Sequence, residues 1–404
     1  MLNRFGSIGP GALTAAAFIG PGTVTTATVA GQRFGYELAW ALVFATVAAV
    51  ILQEMAARLG VVARMGLGEA VLAVTSRSRP LRVVAAGLIV AALLIGNAAY
   101  EGGNIAGAAL GVTALTGGAP RPLVCAAIAM AAAALLVFGG YRVIERTLIA
   151  MVAVMTLCFL IAAVIVRPDV GALLSGMLVP RLTFDAAPIA LGLIGTTIVP
   201  YNLFLHAAAA RAKWSSEAGL GDARFDACFS IGAGGIVSIL ILVTAAASLF
   251  GSGAAVSSAA DMARQLQPAF GAAATFLLAA GLLAAGLTSA ITAPLASGYA
   301  AAELMGFPSD PKSLPFRIVA LTILSIGTVT AITGTQPVEI ILFAQFANGL
   351  LLPIVAAFLL YAVNQTSLLG KRTNGAAANL LGGAVIVIAA VLGVRALLRV
   401  LAAI

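Results

Sequence analysis

Apolar runs of bilayer length follow one another along almost the whole chain, and short polar stretches between them carry most of the arginine and lysine. A transmembrane helix needs about 20 apolar residues. Eleven such runs can be placed, at 10–31, 38–58, 83–112, 122–140, 147–166, 186–210, 229–250, 271–304, 317–333, 339–363 and 376–396. Two of them are interrupted by proline at matching places. Run 1 reads Ile19-Gly20-Pro21-Gly22-Thr23, and run 6 reads Thr196-Thr197-Ile198-Val199-Pro200-Tyr201-Asn202. Proline removes a backbone donor and clashes with the preceding turn, so each helix is predicted to break there. In lipid, a break survives only if it is buried in protein or lines a wet cavity.

The repeat of this feature sets the predicted architecture. Runs 1–5 and 6–10 form two halves, each opened by a broken helix. An odd number of spans per half inverts the second relative to the first. The fold class is therefore an all-α polytopic membrane protein of the LeuT type, with a 5+5 inverted repeat and a site near the midplane. One transmembrane domain is expected over 1–404, with repeat one at about 10–166, repeat two at about 186–363 and an extra helix at about 376–396.

Composition agrees. The chain is 62% hydrophobic and 9% charged, with mean hydropathy +1.11, whereas soluble domains carry about 25% charged residues. The net charge of +8 invites a nucleic-acid reading, but its distribution excludes one. With the N-terminus inside, 15 of the basic residues fall on inner loops and 7 on outer ones, as the positive-inside rule requires. This predicts a cytoplasmic N-terminus, an external C-terminus and a bacterial-type inner membrane, with the lipid bilayer as the principal partner. No cleavable signal peptide is read at the N-terminus. Cys125, Cys158 and Cys228 stand apart in apolar runs, with no metal or disulfide spacing. No phosphate-binding G-x-x-x-x-G-K-[ST] motif is present, which disfavours an ATP-driven pump. A lone histidine and scattered cysteines form no nucleophile–base pair, so no enzyme and no cofactor are expected.

Several stretches resemble the Nramp divalent-metal transporters. Leu52-Gln53-Glu54-Met55-Ala56-Ala57-Arg58-Leu59-Gly60 is similar to the family's LQ-x-x-[SA]-A-[RK]-LG. Gly140-Tyr141-Arg142-Val143-Ile144-Glu145 resembles GFR-x-x-E, and Arg167-Pro168-Asp169 through Val179-Pro180 resembles the loop after span 5. Pro200-Tyr201-Asn202-Leu203-Phe204-Leu205-His206 resembles the span 6 signature MPHNLYLH. The resemblance runs from about residue 8 to 375. It implies alternating access, with spans 1 and 6 rocking against a scaffold of spans 3, 4, 8 and 9. It also implies that the family's metal-binding residues fall at positions where this chain differs. The aspartate and asparagine of DPGN align with Gly20 and Thr23, the span 6 methionine with Val199, and the histidine after the proline with Tyr201. The acidic pair of span 3 aligns with Glu101 and Asn104.

Divalent metals are selected by charge and ligand softness, and Gly20, Thr23 and Val199 supply neither carboxylate nor sulfur. No metal ligands are therefore assigned. The expected binding set is Gly20, Pro21, Gly22, Thr23, Thr26, Thr196, Val199, Pro200, Tyr201 and Gln345. Thr25, Thr197 and Asn202 lie beside it. Helix N-termini after the prolines favour anions, so a small bicarbonate-like anion or a small polar solute is the first expectation. A magnesium- or manganese-like divalent cation, with or without proton coupling, is the alternative, and a non-transporting sensor the next. Plainer readings exist for each residue: a threonine bonding one turn back along its helix, a glycine serving close packing.

Glu101 is an intramembrane acid and by default functional. With Asn104 and His206 it forms the expected coupling or proton path, and Asn97 and Asn104 are spaced to share its helix face. Glu54 and Arg58 read as an i,i+4 pair. Thr288, Ser289 and Asn348 read as interhelical hydrogen bonders, and Glu145, Asp169, Asp222 and Asp226 as structural loop or span-end residues. A monomer or weak homo-oligomer is expected.

Overall fold

The computed structural model describes residues 9–76, 78–139, 142–253, 255–334 and 336–402. Arg4, Arg77, Gly140, Tyr141 and the side chain of Glu145 lie outside the described residues. Within them every regular element is helical. Span 1 is α1 (Pro10–Phe18) and α2 (Pro21–Phe34). Span 2 is α3 (Ala39–Arg58), prolonged by a π-helical turn, Leu59–Ala63, and followed by a short α4 (Leu67–Val74). Spans 3, 4 and 5 are α5 (Arg79–Thr116), α6 (Arg121–Phe138) and α7 (Arg142–Ile165), after which comes α8 (Val170–Leu178). Span 6 is α9 (Ala187–Thr197) with α10 (Pro200–Lys213), and span 7 is α11 (Leu220–Leu249). Short α12 (Ala259–Ala263) and α13 (Gln267–Phe270) lead to span 8, α14 (Ala273–Met305). Spans 9 and 10 are α15 (Leu314–Thr333) and α16 (Pro337–Val363). A short α17 (Thr366–Leu369) precedes span 11, α18 (Ala376–Leu401).

Nine helices among the described residues are long and apolar enough to cross a membrane alone, and bent pairs raise the number to 11. The two proline sites are not equivalent. Span 1 bends by 53° between its halves, whereas α9 and α10 run on as one 27-residue span, Ala187–Lys213. Proline stands in the first turn of α2 and α10, where its missing N–H has no helical partner to lose. The chain turns by 119° between α7 and α8, so α8 is not part of span 5. Asp169 starts it by accepting from Ala172 N at 2.9 Å.

Span 7 begins at Leu220, well before the apolar run at 229. Asp222 and Asp226 mask the start of this helix in the sequence. Asp222 lies in the first turn, where a negative charge complements the helix dipole. Asp226 is fully buried. Its carboxylate accepts from Gly9 N at 3.1 Å, Gly11 N at 2.7 Å and Ser230 Oγ at 3.1 Å. It thus caps the N-terminus of α1 from a neighbouring helix and is not a loop residue.

Burial sorts the spans. The apolar window of span 6 is 94% buried, against 28% for α6 and for α18, so span 6 is central and spans 4 and 11 are peripheral. Apolar side chains such as Leu380 and Val391 face outward on α18. Small residues let the central helices touch. At Gly111 of α5, an added Cβ would overlap Ala279 O of α14 and lie 2.8 Å from Leu283 N. We expect Gly111→Leu to separate α5 from α14 and to cost about 1–3 kcal/mol, read as a lowered thermal midpoint of the detergent-solubilised protein.

Candidate functional site

The break in span 1 leaves carbonyls at the end of α1 without their usual helical donors. Side chains replace those donors. Tyr100 OH, from α5, donates to Ala17 O at 3.1 Å, and Thr23 Oγ1 donates to Phe18 O. Ile19 N still reaches Ala15 O. Gly20 is extended (φ −114°, ψ −173°), and α2 restarts at Pro21. The break in span 6 is built alike. Ile198 N donates to Ile194 O at 2.8 Å, Val199 is extended, and α10 restarts at Pro200.

The two breaks touch through the Thr23 and Thr196 hydroxyls, 2.8 Å apart. Since the Thr23 proton goes to Phe18 O, Thr196 is the donor between them. Gln345, from α16, lies across both breaks. A Cβ on Gly22 would lie 2.6 Å from Gln345 Cδ, and one on Gly195 would lie 2.5 Å from Gly349 N and overlap Gln345 O. At Gly195 the atoms met are α16 backbone, so only glycine admits the helix so closely there, whereas at Gly22 they belong to the Gln345 side chain. Thr26 also faces this region, with its methyl 3.3 Å from where a Gly192 Cβ would stand. Val199 is fully buried and Pro200 is buried, and Val199 brings no polar atom. Tyr201 is fully buried, its ring set edge-on to Tyr100 at 5.5 Å between centroids.

The structure therefore brings Gly20, Pro21, Gly22, Thr23, Thr26, Thr196, Tyr201 and Gln345 to one place. Thr197 is different: it bonds one turn back to Leu193 O at 3.0 Å. Thr25 contacts Met262 Sδ at 3.7 Å, away from the break. Tyr100 and Ser289 belong to the site more closely than their place in the sequence indicates. A Cβ on Gly20 would stand 3.1 Å from Ser289 Oγ and 3.8 Å from Tyr100 OH.

Glu101 and Asn104 are buried and joined, Asn104 Nδ2 donating to Glu101 Oε2 at 3.2 Å. Their neighbour is span 9: a Cβ on Gly327 of α15 would lie 2.5 Å from Glu101 Cγ. Asn97 does not join this pair. It donates to Ser297 Oγ of α14 at 2.6 Å. His206 is buried on α10, with Nδ1 2.8 Å from Gln53 Oε1. With the amide oxygen as acceptor, Nδ1 carries the proton, and Nε2 of the neutral ring is an acceptor. Glu54 pairs with Arg58 at 3.1 Å and with Arg224 at 2.8 Å, which ties span 2 to span 7.

Buried polar groups are nearly always paired. Here Thr26 Oγ1, Tyr201 OH, Ser289 Oγ, Gln345 Oε1, Glu101 Oε1, His206 Nε2 and both side-chain polar atoms of Asn202 and of Asn348 have no hydrogen-bond partner. Only two other such atoms occur among the described residues, Arg58 Nε and Ser248 Oγ. Among the described residues, no group of three His, Cys, Asp or Glu side chains is placed to hold a metal ion.

Apolar helices around two interrupted spans that meet at a cluster of buried polar groups have the architecture of a LeuT-type membrane transporter. Comparison with known proteins narrows the class. The Nramp family, described as natural resistance-associated macrophage protein-like, matches residues 11–399, and the chain belongs to it. It is similar to the divalent metal cation transporter MntH of Bradyrhizobium diazoefficiens, 30% identical over 383 residues, covering 90% of this chain and 82% of that one. The MntH of Listeria welshimeri is 27% identical over 407 residues, covering 96% and 89%. Among solved structures, the Eremococcus coleocola manganese transporter in complex with an aromatic bis-isothiourea compound superposes with a TM-score of 0.76 at 24% identity, covering 95% of this chain and 84% of that one. The fold extends to Mhp1, a nucleobase-cation-symport-1 family transporter, with a TM-score of 0.59 at 15% identity and coverage of 96% and 92%.

Thr23→Val keeps the shape of the residue and removes both of its hydrogen bonds. We expect it to lower stability by about 1–3 kcal/mol, the cost of leaving a buried polar group unpaired. Thr23→Ser should retain most of that stability in the same thermal-unfolding measurement.

Proposed function

We propose that the chain is a secondary transporter that carries a divalent cation by alternating access. The ion sits between the breaks of spans 1 and 6 with much of its hydration shell kept. The supporting observation is the concentration of buried, unpartnered oxygens around the breaks, on Thr26, Tyr201, Ser289 and Gln345, with no carboxylate or sulfur among them. Such oxygens accept hydrogen bonds from water bound to a cation, but would compensate poorly for stripping that water away. The matched relatives are named for divalent metal cations, which places this reading ahead of the small anion that leads on sequence alone. We read Gly20, Thr23, Val199 and Tyr201 as departures from the family's metal-binding pattern, and so the seat as selecting a hydrated ion over a directly ligated transition metal. Glu101, Asn104 and His206 stand outside the seat as the proton-path candidates. The N-terminus is assigned to the cytoplasm from the distribution of arginine and lysine, and 1–404 to one transmembrane domain.

A second reading has its own support. The leading amides of α2 and α10, those of Gly22, Thr23 and Tyr201, precede the first bonds of their helices, Val24 N to Gly20 O and Asn202 N to Val199 O, and no carboxylate stands between the two helix ends. Their positive ends favour a small oxyanion such as bicarbonate.

Uptake into proteoliposomes, with a metal-sensitive dye and an internal pH dye recorded together, separates the two. We expect magnesium or manganese entry at least tenfold above protein-free vesicles, with no bicarbonate-dependent alkalinisation. Alkalinisation without metal entry, abolished in Thr23→Asp, would establish the oxyanion reading instead. Binding without entry of either ion would make the chain a sensor.

A further inference from the structure

Residue 20 is the N-cap of α2. Its φ of −114° and ψ of −173° are available to any residue, and aspartate is among the preferred residues at such a position. Neither backbone strain nor helix capping therefore explains glycine there. The reason lies on α14 and α5. A Cβ at residue 20 would stand 3.1 Å from Ser289 Oγ and 3.8 Å from Tyr100 OH. The Cβ is tight against Ser289 Oγ, and a longer side chain that turns toward α14 or α5, by bonds of about 1.5 Å, meets the space those hydroxyls hold. Tyr100 is fixed by its bond to Ala17 O at 3.1 Å. Ser289 is 1% exposed, and its hydroxyl has no partner. Tyr201 OH, equally buried and unpartnered, stands on the ring packed edge-on against Tyr100.

We infer that Ser289 is a specificity-determining residue of the seat. Its hydroxyl occupies the place of a residue-20 side chain and presents a neutral oxygen to the cargo beside the Tyr100 and Tyr201 hydroxyls. The inference rests on the breaks being the cargo site, as proposed above. Its physical consequence is that two positions must change together. A carboxylate introduced at residue 20 alone is crowded by Ser289, or is held by the Ser289 hydroxyl as donor, and is not free to ligate a metal. Removing the Ser289 side chain frees it.

The test is a double-substitution cycle on the full-length protein in detergent, with Mn2+ alone as the probe, read by titration calorimetry. Gly20→Asp and Ser289→Gly are each expected to bind Mn2+ within threefold of the original chain. The combined variant is expected to bind it at least tenfold more tightly than either. Equal gain in Gly20→Asp alone, or no gain in a combined variant with an unchanged thermal midpoint, would overturn the inference. Because this reads metal binding and not transport, it stands even if the original chain moves neither cation nor bicarbonate, the outcome that defeats the proposed function. Should the combined variant fail to fold, uptake by Ser289→Ala and Ser289→Thr decides. Loss of the hydroxyl should raise the KM for the carried ion at least fivefold with kcat little changed, and Ser289→Thr should restore it. An unaltered KM in Ser289→Ala would overturn the assignment.

Discussion

Every backbone carbonyl and amide within the apolar interior must find a partner inside the protein, and the two interrupted spans are where the helices themselves stop supplying one. The Tyr100 bond to Ala17 O and the Thr23 bond to Phe18 O meet that demand at span 1, and much of the site follows from them. Tyr100 can reach α1 only if α5 lies against the break. Thr23 can reach Phe18 only if α2 restarts immediately, which Pro21 ensures. Once the Thr23 proton is committed to the carbonyl, its oxygen is left to accept from Thr196, and the breaks of spans 1 and 6 become one structure.

The resulting seat is polar without being charged. The only acid on this stretch of α5, Glu101, packs toward α15, and the only histidine lies further along α10, bonded to Gln53. In the proposed reading, oxygens of hydroxyls and amides are what remain for a cargo. They can accept from water on a cation or donate to an oxyanion, and so they choose less by sign of charge than by the size and hydrogen-bonding shell of what fits. The breaks themselves are held by backbone, tyrosine and threonine contacts, so their geometry does not depend on which other side chains stand between them.

Much of this was legible in the sequence. Bilayer-length apolar runs give the eleven spans, and a proline with flanking glycine or threonine inside such a run gives the breaks, since both signals are local. The short helices were not legible: α4 and α8 are too brief for periodicity, and the start of α11 was hidden by Asp222 and Asp226, which read as loop. Glu101 and Asn97 show the limit of helical spacing. It places residues on neighbouring faces, but does not say which helix each face meets. Neither Tyr100 nor Ser289 is placed beside the breaks by sequence, because an aromatic inside an apolar run reads as packing and a serine there reads as an interhelical hydrogen bonder. Only the crossing of α5 and α14 beside Gly20 brings them there. Gln345 enters the expected set by resemblance and not by pattern.

The cap on α1 carries a consequence of a different kind. This nine-residue helix is fastened at one end by the Asp226 carboxylate and at the other by hydroxyl bonds to its last carbonyls. Its ladder does not continue into α2. Each fastening is a side-chain hydrogen bond with a net worth of about 1 kcal/mol, somewhat more where the acceptor is charged. Burial adds to them: Phe18 is fully buried and its ring packs beside Gly234 of α11, a contribution at least as large as any one of these bonds. The bonds therefore orient a helix that burial already holds. Because its ladder stops at the break, the direction of α1 is set by α11 at one end and by side chains of α5 and α2 at the other, and a shift of either neighbour reaches α1 without unwinding α2.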